Sequence, residues 1–136
     1  MMRKSGFTLI ELMVVVIIIA ALAGMVLPRI LDKADEAKRN ISRGDIASIT
    51  MALKMYRLNT GAYPSTEQGL NALMVKPAST DNWKGPYLER APLDPWDREY
   101  NYKYKGDHNT TGFDIWSTGP DEGVAEDDVN NWSTER

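Results

Sequence analysis

Two places in this chain hold residues whose type and setting could do chemistry. The first is Glu11, a lone carboxylate in the run Phe7–Leu27, where 18 of 21 residues are hydrophobic and only Thr8, Glu11 and Gly24 depart. A charge at the centre of a bilayer costs about 2.5–3.5 kcal/mol on insertion scales, and less near an interface. Glu11 therefore either lies near a helix start and reaches water, or needs a cationic partner in an apolar setting. A cut before Phe7 would create one, the new α-amino group. That amine could not comfortably reach Glu11 of its own helix, one turn along, but it could reach Glu11 of a neighbouring subunit and so set an axial register between packed helices.

The second place is the C-terminal stretch. From residue 114 onward there are seven acids (Asp114, Asp121, Glu122, Glu126, Asp127, Asp128, Glu135) against one base, Arg136, so 1 minus 7 gives a net charge of -6. That exceeds the formal -3 of the whole chain, which has 16 Lys plus Arg and 19 Asp plus Glu. One reading is a solvated acidic tail. The other is a calcium site, because calcium takes six to eight oxygens from carboxylates and backbone carbonyls in a flexible loop. Asp121-Glu122-Gly123-Val124-Ala125-Glu126-Asp127-Asp128 offers carboxylates at both ends and a glycine for a bend, although not at EF-hand spacing. Trp116 and Trp132 flank the stretch and, if buried, would fold it back.

Other chemistry is excluded or unsupported. With 0 Cys there is no disulfide framework, iron–sulfur site or cysteine zinc site. The single histidine, His108, falls in the turn-like Gly106-Asp107-His108-Asn109 and is expected to be solvent-exposed without a catalytic duty. No phosphate loop, nucleophile triad or zinc spacing occurs, so nothing points to an enzyme. The net negative charge, with Lys and Arg mixed among acids, argues against nucleic acid as a partner.

The elements that must position these residues follow from periodicity. The apolar run, taken as a helix, spans roughly 32 Å and matches a bilayer core of about 30 Å. Arg3 and Lys4 before it place the N-terminus on the cytoplasmic side. By itself the run reads as a transmembrane anchor, as a processed assembly helix, or as a secretory signal with Ala21-Leu22-Ala23 as its cleavage site. Pro28 should kink or loosen the helix. Helical spacing then resumes at Ile30, Ala34, Ala37 and Ile41 and continues through Ile46, Ile49, Leu53 and Tyr56. Asp32, Lys33, Asp35, Glu36, Lys38 and Arg39 take the other face, and Asn59-Thr60-Gly61 is a C-terminal stop. One helix from about Thr8 to Asn59 is thus predicted. Ser65 should cap a short helix with Gln68 as its capping-box partner, and Trp83 should anchor the following loop. Asp94-Pro95-Trp96 is a turn, and Tyr100, Tyr102 and Tyr104 alternate as a strand that pairs with Phe113-Asp114-Ile115-Trp116 in a hairpin.

The junction Gly6-Phe7-Thr8-Leu9-Ile10-Glu11 ahead of an apolar helix resembles the class III signal of type IV pilins and type II secretion pseudopilins. The resemblance implies that a prepilin peptidase cuts between Gly6 and Phe7 and N-methylates Phe7, and that Glu11 supports assembly. Loss of Arg3 and Lys4 would leave 14 bases against 19 acids, a mature charge of -5. Further blocks narrow the resemblance to the major pseudopilins of type II secretion: Tyr63-Pro64-Ser65-Thr66-Glu67-Gln68-Gly69-Leu70, Asp94-Pro95-Trp96, Asp114-Ile115-Trp116-Ser117-Thr118-Gly119-Pro120-Asp121 and Asp127-Asp128-Val129-Asn130-Asn131-Trp132. These cover nearly the whole chain in the family's order. In that family the final loop binds one calcium ion. Asp121, Asp127 and Asp128 match its acidic ligands, and carbonyls near Thr118 and Val124 would complete the shell. Asp97 stands where the family usually has glycine, and the segment between Asp121 and Asp127 is one residue shorter. Many adhesion pilins close this region with a disulfide; in a cysteine-free periplasmic head, calcium could clamp it instead.

The expectation is therefore an α+β, pilin-like fold: one long N-terminal α-helix packed on a small antiparallel β-sheet head with a calcium-binding C-terminal loop. Residues 1–6 are a leader, 7–27 a transmembrane and filament-core helix, and 28–136 a periplasmic head. The implied function is a structural subunit of a periplasmic filament, anchored first in the bacterial inner membrane, that helps drive folded proteins across the outer membrane. The implied partners are further copies of itself, minor pseudopilins, an inner-membrane assembly platform and the prepilin peptidase. The alternatives are a type IV pilin for adhesion or DNA uptake, and a secreted binding protein released by a signal peptidase; a Glu inside the apolar run argues against the latter.

Overall fold

The computed structural model describes residues 6–133. Arg3, Lys4 and Ser5 of the expected leader, and Glu135 and Arg136 of the acidic stretch, lie outside the described residues. The elements run α1 (Leu9–Thr60), a one-turn 3-10 helix (Gly69–Leu73), β1 (Asn101–Tyr104), β2 (Phe113–Ser117), a second 3-10 turn (Ala125–Asp127) and β3 (Val129–Asn130). By internal contacts the chain divides into two compact units, residues 1–36 and 37–136, described separately below.

In the first unit α1 starts one residue after the predicted Thr8, because Thr8 is its cap. The Glu11 N–H donates to Thr8 Oγ1 (3.3 Å), and the Thr8 N–H donates to a Glu11 carboxylate oxygen (3.5 Å). This reciprocal capping box satisfies two backbone donors that would otherwise lack partners. Helical assignment runs through Pro28 without a break, although that residue has no N–H to offer the carbonyl of Gly24. Every hydrophobic side chain in the apolar run is exposed, and the helix is long and apolar enough to cross a membrane.

In the second unit the helix is amphipathic. Ser42, Ile46, Ile49, Ala52, Leu53 and Tyr56 are buried, at the three- and four-residue steps of one face. They join Ala72, Leu73, Tyr100, Phe113, Ile115 and Val129 in one core, with Tyr63, Leu70, Tyr102 and Tyr104 packed around it. The predicted stripe holds from Ile46 to Tyr56 but not before: Ile41 is 57% exposed, and Ile30, Ala34 and Ala37 are exposed as well. The register explains this, since Ile41 lies one step round the helix from Ser42, the first residue of the buried face. The helix stops at Thr60, one residue past the predicted Asn59, and Gly61 follows at φ +90°, a left-handed position where glycine carries no Cβ penalty.

The short helix predicted after Ser65 has its capping box: the Ser65 N–H donates to Gln68 Oε1 (2.9 Å) and the Gln68 N–H donates to Ser65 Oγ (3.2 Å). The regular helix, however, is only the 3-10 turn from Gly69, which sits at φ +57°. Trp83 anchors its loop as expected, donating Nε1–H to the Ala72 carbonyl (2.9 Å). The hairpin pairs Tyr102 with Ile115 and Tyr104 with Phe113, antiparallel. A third strand was not foreseen. Val129 and Asn130 return antiparallel to Ser117 and Trp116 and give the sheet order β1-β2-β3. Asn131 lengthens this short pairing with its side chain, accepting the Ile115 N–H (3.0 Å) and donating to the Phe113 carbonyl (3.0 Å).

Candidate functional site

The N-terminal element consists of Gly6, Phe7 and Glu11. Residues 6–8 precede the helix in irregular, exposed backbone, and Phe7 is 80% exposed. A Cβ built on Gly6 would meet nothing within 4 Å. The fold therefore places no steric demand for glycine at this position, in contrast to Gly119 below. Glu11 is exposed at the first turn of α1; its carboxylate accepts the Thr8 N–H and has no cationic partner among the described residues. Glu11 thus lies at the helix start, one of the two placements its sequence setting allows, and the capping box follows the spacing Thr8-x-x-Glu11.

The C-terminal element is the loop 118–128, closed at its neck where Ser117 faces Val129 across the β2–β3 ladder. Two features fix the neck. Gly119 sits at φ +65°, and a Cβ there would come within 2.4 Å of the Asp127 carbonyl oxygen, so only glycine lets the two ends pass. The Gly119 N–H donates to Ser117 Oγ (3.2 Å), and the Ser117 hydroxyl donates to Asp94 Oδ2 (2.6 Å). Asp94 is 3% exposed and also accepts the N–H groups of Trp96 (3.0 Å) and Arg98 (2.9 Å) through Oδ1. A buried carboxylate in the Asp94-Pro95-Trp96 turn thus holds the start of the acidic loop. The turn was predicted, but this role was not. Asp97, where the family usually carries glycine, takes φ +62°, a left-handed conformation that Asp tolerates better than most residues.

Within the loop, Asp121, Glu122 and Glu126 are exposed, while Thr118, Asp127 and Asp128 are half-buried. The Val124 carbonyl, expected as a ligand, accepts the Asp127 N–H (3.1 Å) in the 3-10 turn. Asp127 is not free: Arg39 Nη2, from α1 and 88 residues away, donates to its Oδ1 at 2.5 Å. Glu122 is drawn to Arg98 Nη1 (3.4 Å). Burial, together with the neighbouring Asp127 carboxylate, pushes the Asp128 carboxyl above its ordinary range, and Arg98 only partly offsets this. No three carboxylate or imidazole side chains converge on a common point among the described residues. The donor chemistry fits a hard, oxygen-seeking cation, and the three matched carboxylates lie in one closed loop. Two guanidinium groups currently serve as counter-ions to that loop's acids. Arg39 was read from sequence as part of a solvated helix face, and no local spacing encodes its pairing with Asp127.

His108 is exposed as predicted, but it has a structural task. Its ring stacks on Trp132 (4.1 Å, 2°), and its Nδ1 lies 3.1 Å from Asp114 Oδ2. Burial pushes the Asp114 carboxyl up, but the N–H groups of His108 and Asn109 and the His108 ring outweigh it, so Asp114 is held below the usual carboxylate range. Trp132 also meets Trp116 edge to face, so both tryptophans fold the chain back as expected.

Comparison with known proteins decides the family. The family model described as type II secretion system (T2SS), protein G matches residues 29–132, and the prokaryotic N-terminal methylation motif matches residues 1–27. The chain belongs to the type II secretion system protein G family. It is 46% identical over 139 residues to the type II secretion system core protein G of Pseudomonas aeruginosa, covering 96% of each chain. It is 39% identical over 141 residues to that of Vibrio cholerae, covering 98% of this chain and 94% of the relative. The crystal structure of the major pseudopilin from the type 2 secretion system of enterohaemorrhagic Escherichia coli superposes with a TM-score of 0.67 at 38% identity, covering 75% of this chain and 88% of that one. As a member of this family the chain is a structural pseudopilin subunit and not an enzyme. The α+β expectation of a long helix with a small antiparallel sheet holds.

Proposed function

We propose that this pseudopilin is inserted in the inner membrane with its N-terminus cytoplasmic and its head periplasmic, cut between Gly6 and Phe7, methylated on Phe7, and polymerised into a pseudopilus. Its copies pack by their apolar helices, with minor pseudopilins, an assembly platform and the prepilin peptidase as partners. The observation that carries this reading is the apolar run 7–27 within the first unit: apolar on every side, exposed throughout, with one carboxylate near its start. A helix of that kind needs lipid or other helices around it. Gly6 supports processing at this junction, since the fold does not require glycine there while a peptidase cleft would. Within the filament, Glu11 of one copy pairs with the Phe7 amine of the next.

The acidic loop is proposed to hold one calcium ion through Asp121, Asp127 and Asp128, with backbone oxygens near Thr118 and Val124. When bound, the ion supplies charge neutralisation and cross-links the two ends of the loop. Support comes from the all-oxygen donor set held in one loop closed at the Ser117–Val129 neck.

The test uses intact mass and cross-linking of the chain co-expressed with its secretion machinery. The mature protein should begin at methylated Phe7, and Glu11→Ala should still be cleaved but should fail to give the ladder of cross-linked oligomers seen for the wild type. A mature chain beginning at Gly24, or efficient filaments from Glu11→Ala, would refute the processing or the pairing respectively.

A further inference from the structure

We propose that Arg39 is the resident counter-ion of the C-terminal loop: it clasps Asp127 to α1 in the metal-free chain, and a calcium ion entering the loop takes Asp127 from it. The clasp joins two elements that are distant in sequence but packed in one unit, and both partners are largely shielded, with side chains 35% and 27% exposed. Its geometry is that of a releasable contact. Only Nη2 of the guanidinium engages the carboxylate, while Nε is buried with no hydrogen-bond acceptor among the described residues. A bidentate arginine–carboxylate pair would satisfy both faces of the fork, and this one does not.

The Asp127 backbone, in contrast, is fixed: its N–H is bonded to the Val124 carbonyl and its own carbonyl lies against Gly119. Exchange is then a swing of the Asp127 side chain from the helix toward the loop that carries Asp121 and Asp128. Arg98 stands on the other side of the exchange: its guanidinium lies 3.8 Å from Asp94 and 3.4 Å from Glu122, and no ion pair joins it to Asp127 among the described residues. The consequence is a coupling between the loop and the helix: metal-free, the loop is tied to α1; loaded, it releases a cation on the α1 surface, free to meet an acidic group on another copy.

The exchange rests on the calcium reading above, and one experiment separates their failures. Calcium is titrated calorimetrically into the full-length chain in detergent micelles, wild type beside Arg39→Gln, with thermal midpoints of both in chelator. Removing the competitor should tighten calcium binding by about fivefold, equivalent to about 1 kcal/mol for a partly shielded ion pair, while lowering the midpoint in chelator. Equal calcium affinity in the two proteins overturns the exchange and leaves the calcium reading standing. Heat of binding in neither protein overturns both. An unchanged midpoint in chelator overturns the clasp itself. Arg39→Lys, which keeps the charge, should restore the midpoint in part; failure to do so while Arg39→Gln is destabilised would assign the loss to packing of the arginine stem and overturn the counter-ion role.

Discussion

Asp94 is the residue whose loss should damage the head most for its size. Its carboxylate is buried and accepts three donors: the Ser117 hydroxyl at 2.6 Å and the N–H groups of Trp96 and Arg98 at 3.0 and 2.9 Å. Asp94→Ala removes all three acceptors at once and leaves the Arg98 guanidinium without its nearest buried anion. An orphaned buried donor costs about 1–3 kcal/mol. Trp96 and Arg98 are half-buried and regain some water, so the sum should fall near the low end, about 3–5 kcal/mol. Against a typical total of about 5–15 kcal/mol this is a large fraction. Asp94→Asn is the informative control. Its carbonyl oxygen can still serve the two backbone donors, and its amide can donate to the Ser117 oxygen, so the charge and the acceptor of the Ser117 hydroxyl proton are lost and the cost should be about 1–3 kcal/mol, below that of Ala. The assay is urea unfolding of the micelle-held chain followed by tryptophan fluorescence, since Trp96 and Trp116 lie beside the affected bonds. With a slope of about 1–3 kcal/mol per molar urea, Asp94→Ala should move the midpoint by at least about 1 M. The reasoning fails if Asp94→Ala lies within experimental scatter of the wild type, or if Asn is as damaging as Ala.

Three further outcomes are expected. Asp114 is held below the ordinary carboxylate range, so its charge contributes stability that is present above the unfolded value and lost as pH falls through the lowered folded value; Asp114→Asn should flatten the acid limb of a stability–pH series while leaving its neutral limb parallel to the wild type. Gly119→Ala should cost about 1–3 kcal/mol from its left-handed φ and the Asp127 carbonyl, whereas Gly123→Ala, which meets nothing within 4 Å, should be near neutral in the same thermal melts. Leu53→Ala should cost about 2–5 kcal/mol at its fully buried site, and Met55→Ala, on the same helix but 50% exposed, should change the midpoint of the unassembled chain by less than about 0.5 kcal/mol.

What could be read from the sequence was governed by short-range rules. The stop at Gly61, the Ser65–Gln68 box and the tyrosine alternation of the hairpin each depend on residues within a few positions, and each was legible. The unread features depend on distance in sequence. Arg39 finds Asp127 88 residues away, and at its own site it is only one charge among six on a polar helix face. Asp94 read as a turn former because its Asx-type bond to Trp96 is local, whereas its bond to Ser117 is not. β3 is two residues long, too short for any period, and exists because Asn131 completes its ladder with a side chain. Of the acidic stretch, Asp121, Glu122, Glu126, Asp127 and Asp128 share one loop while Asp114 lies in β2, and residue type alone does not show which of them have arginine partners.

The energetics of assembly turn on the same small set of polar groups. Moving the apolar part of α1 from lipid into a bundle of like helices gains no hydrophobic free energy, because lipid tails are as apolar as leucine. The side chains of this segment, exposed on every side in the single chain, therefore supply packing contacts but no net pull out of the membrane. Glu11 differs from them. Its charge would cost up to about 2.5–3.5 kcal/mol at the bilayer centre and less toward an interface, and among the described residues the Thr8 N–H serves one of its oxygens, at 3.5 Å. In the proposed assembly, pairing with the Phe7 amine of another copy would remove two membrane-embedded charges at once, and only with the helices in one axial register. On that proposal a single carboxylate in an otherwise uncharged apolar segment provides both the bias toward the filament and the spacing within it, which the surrounding leucines, isoleucines and valines cannot distinguish.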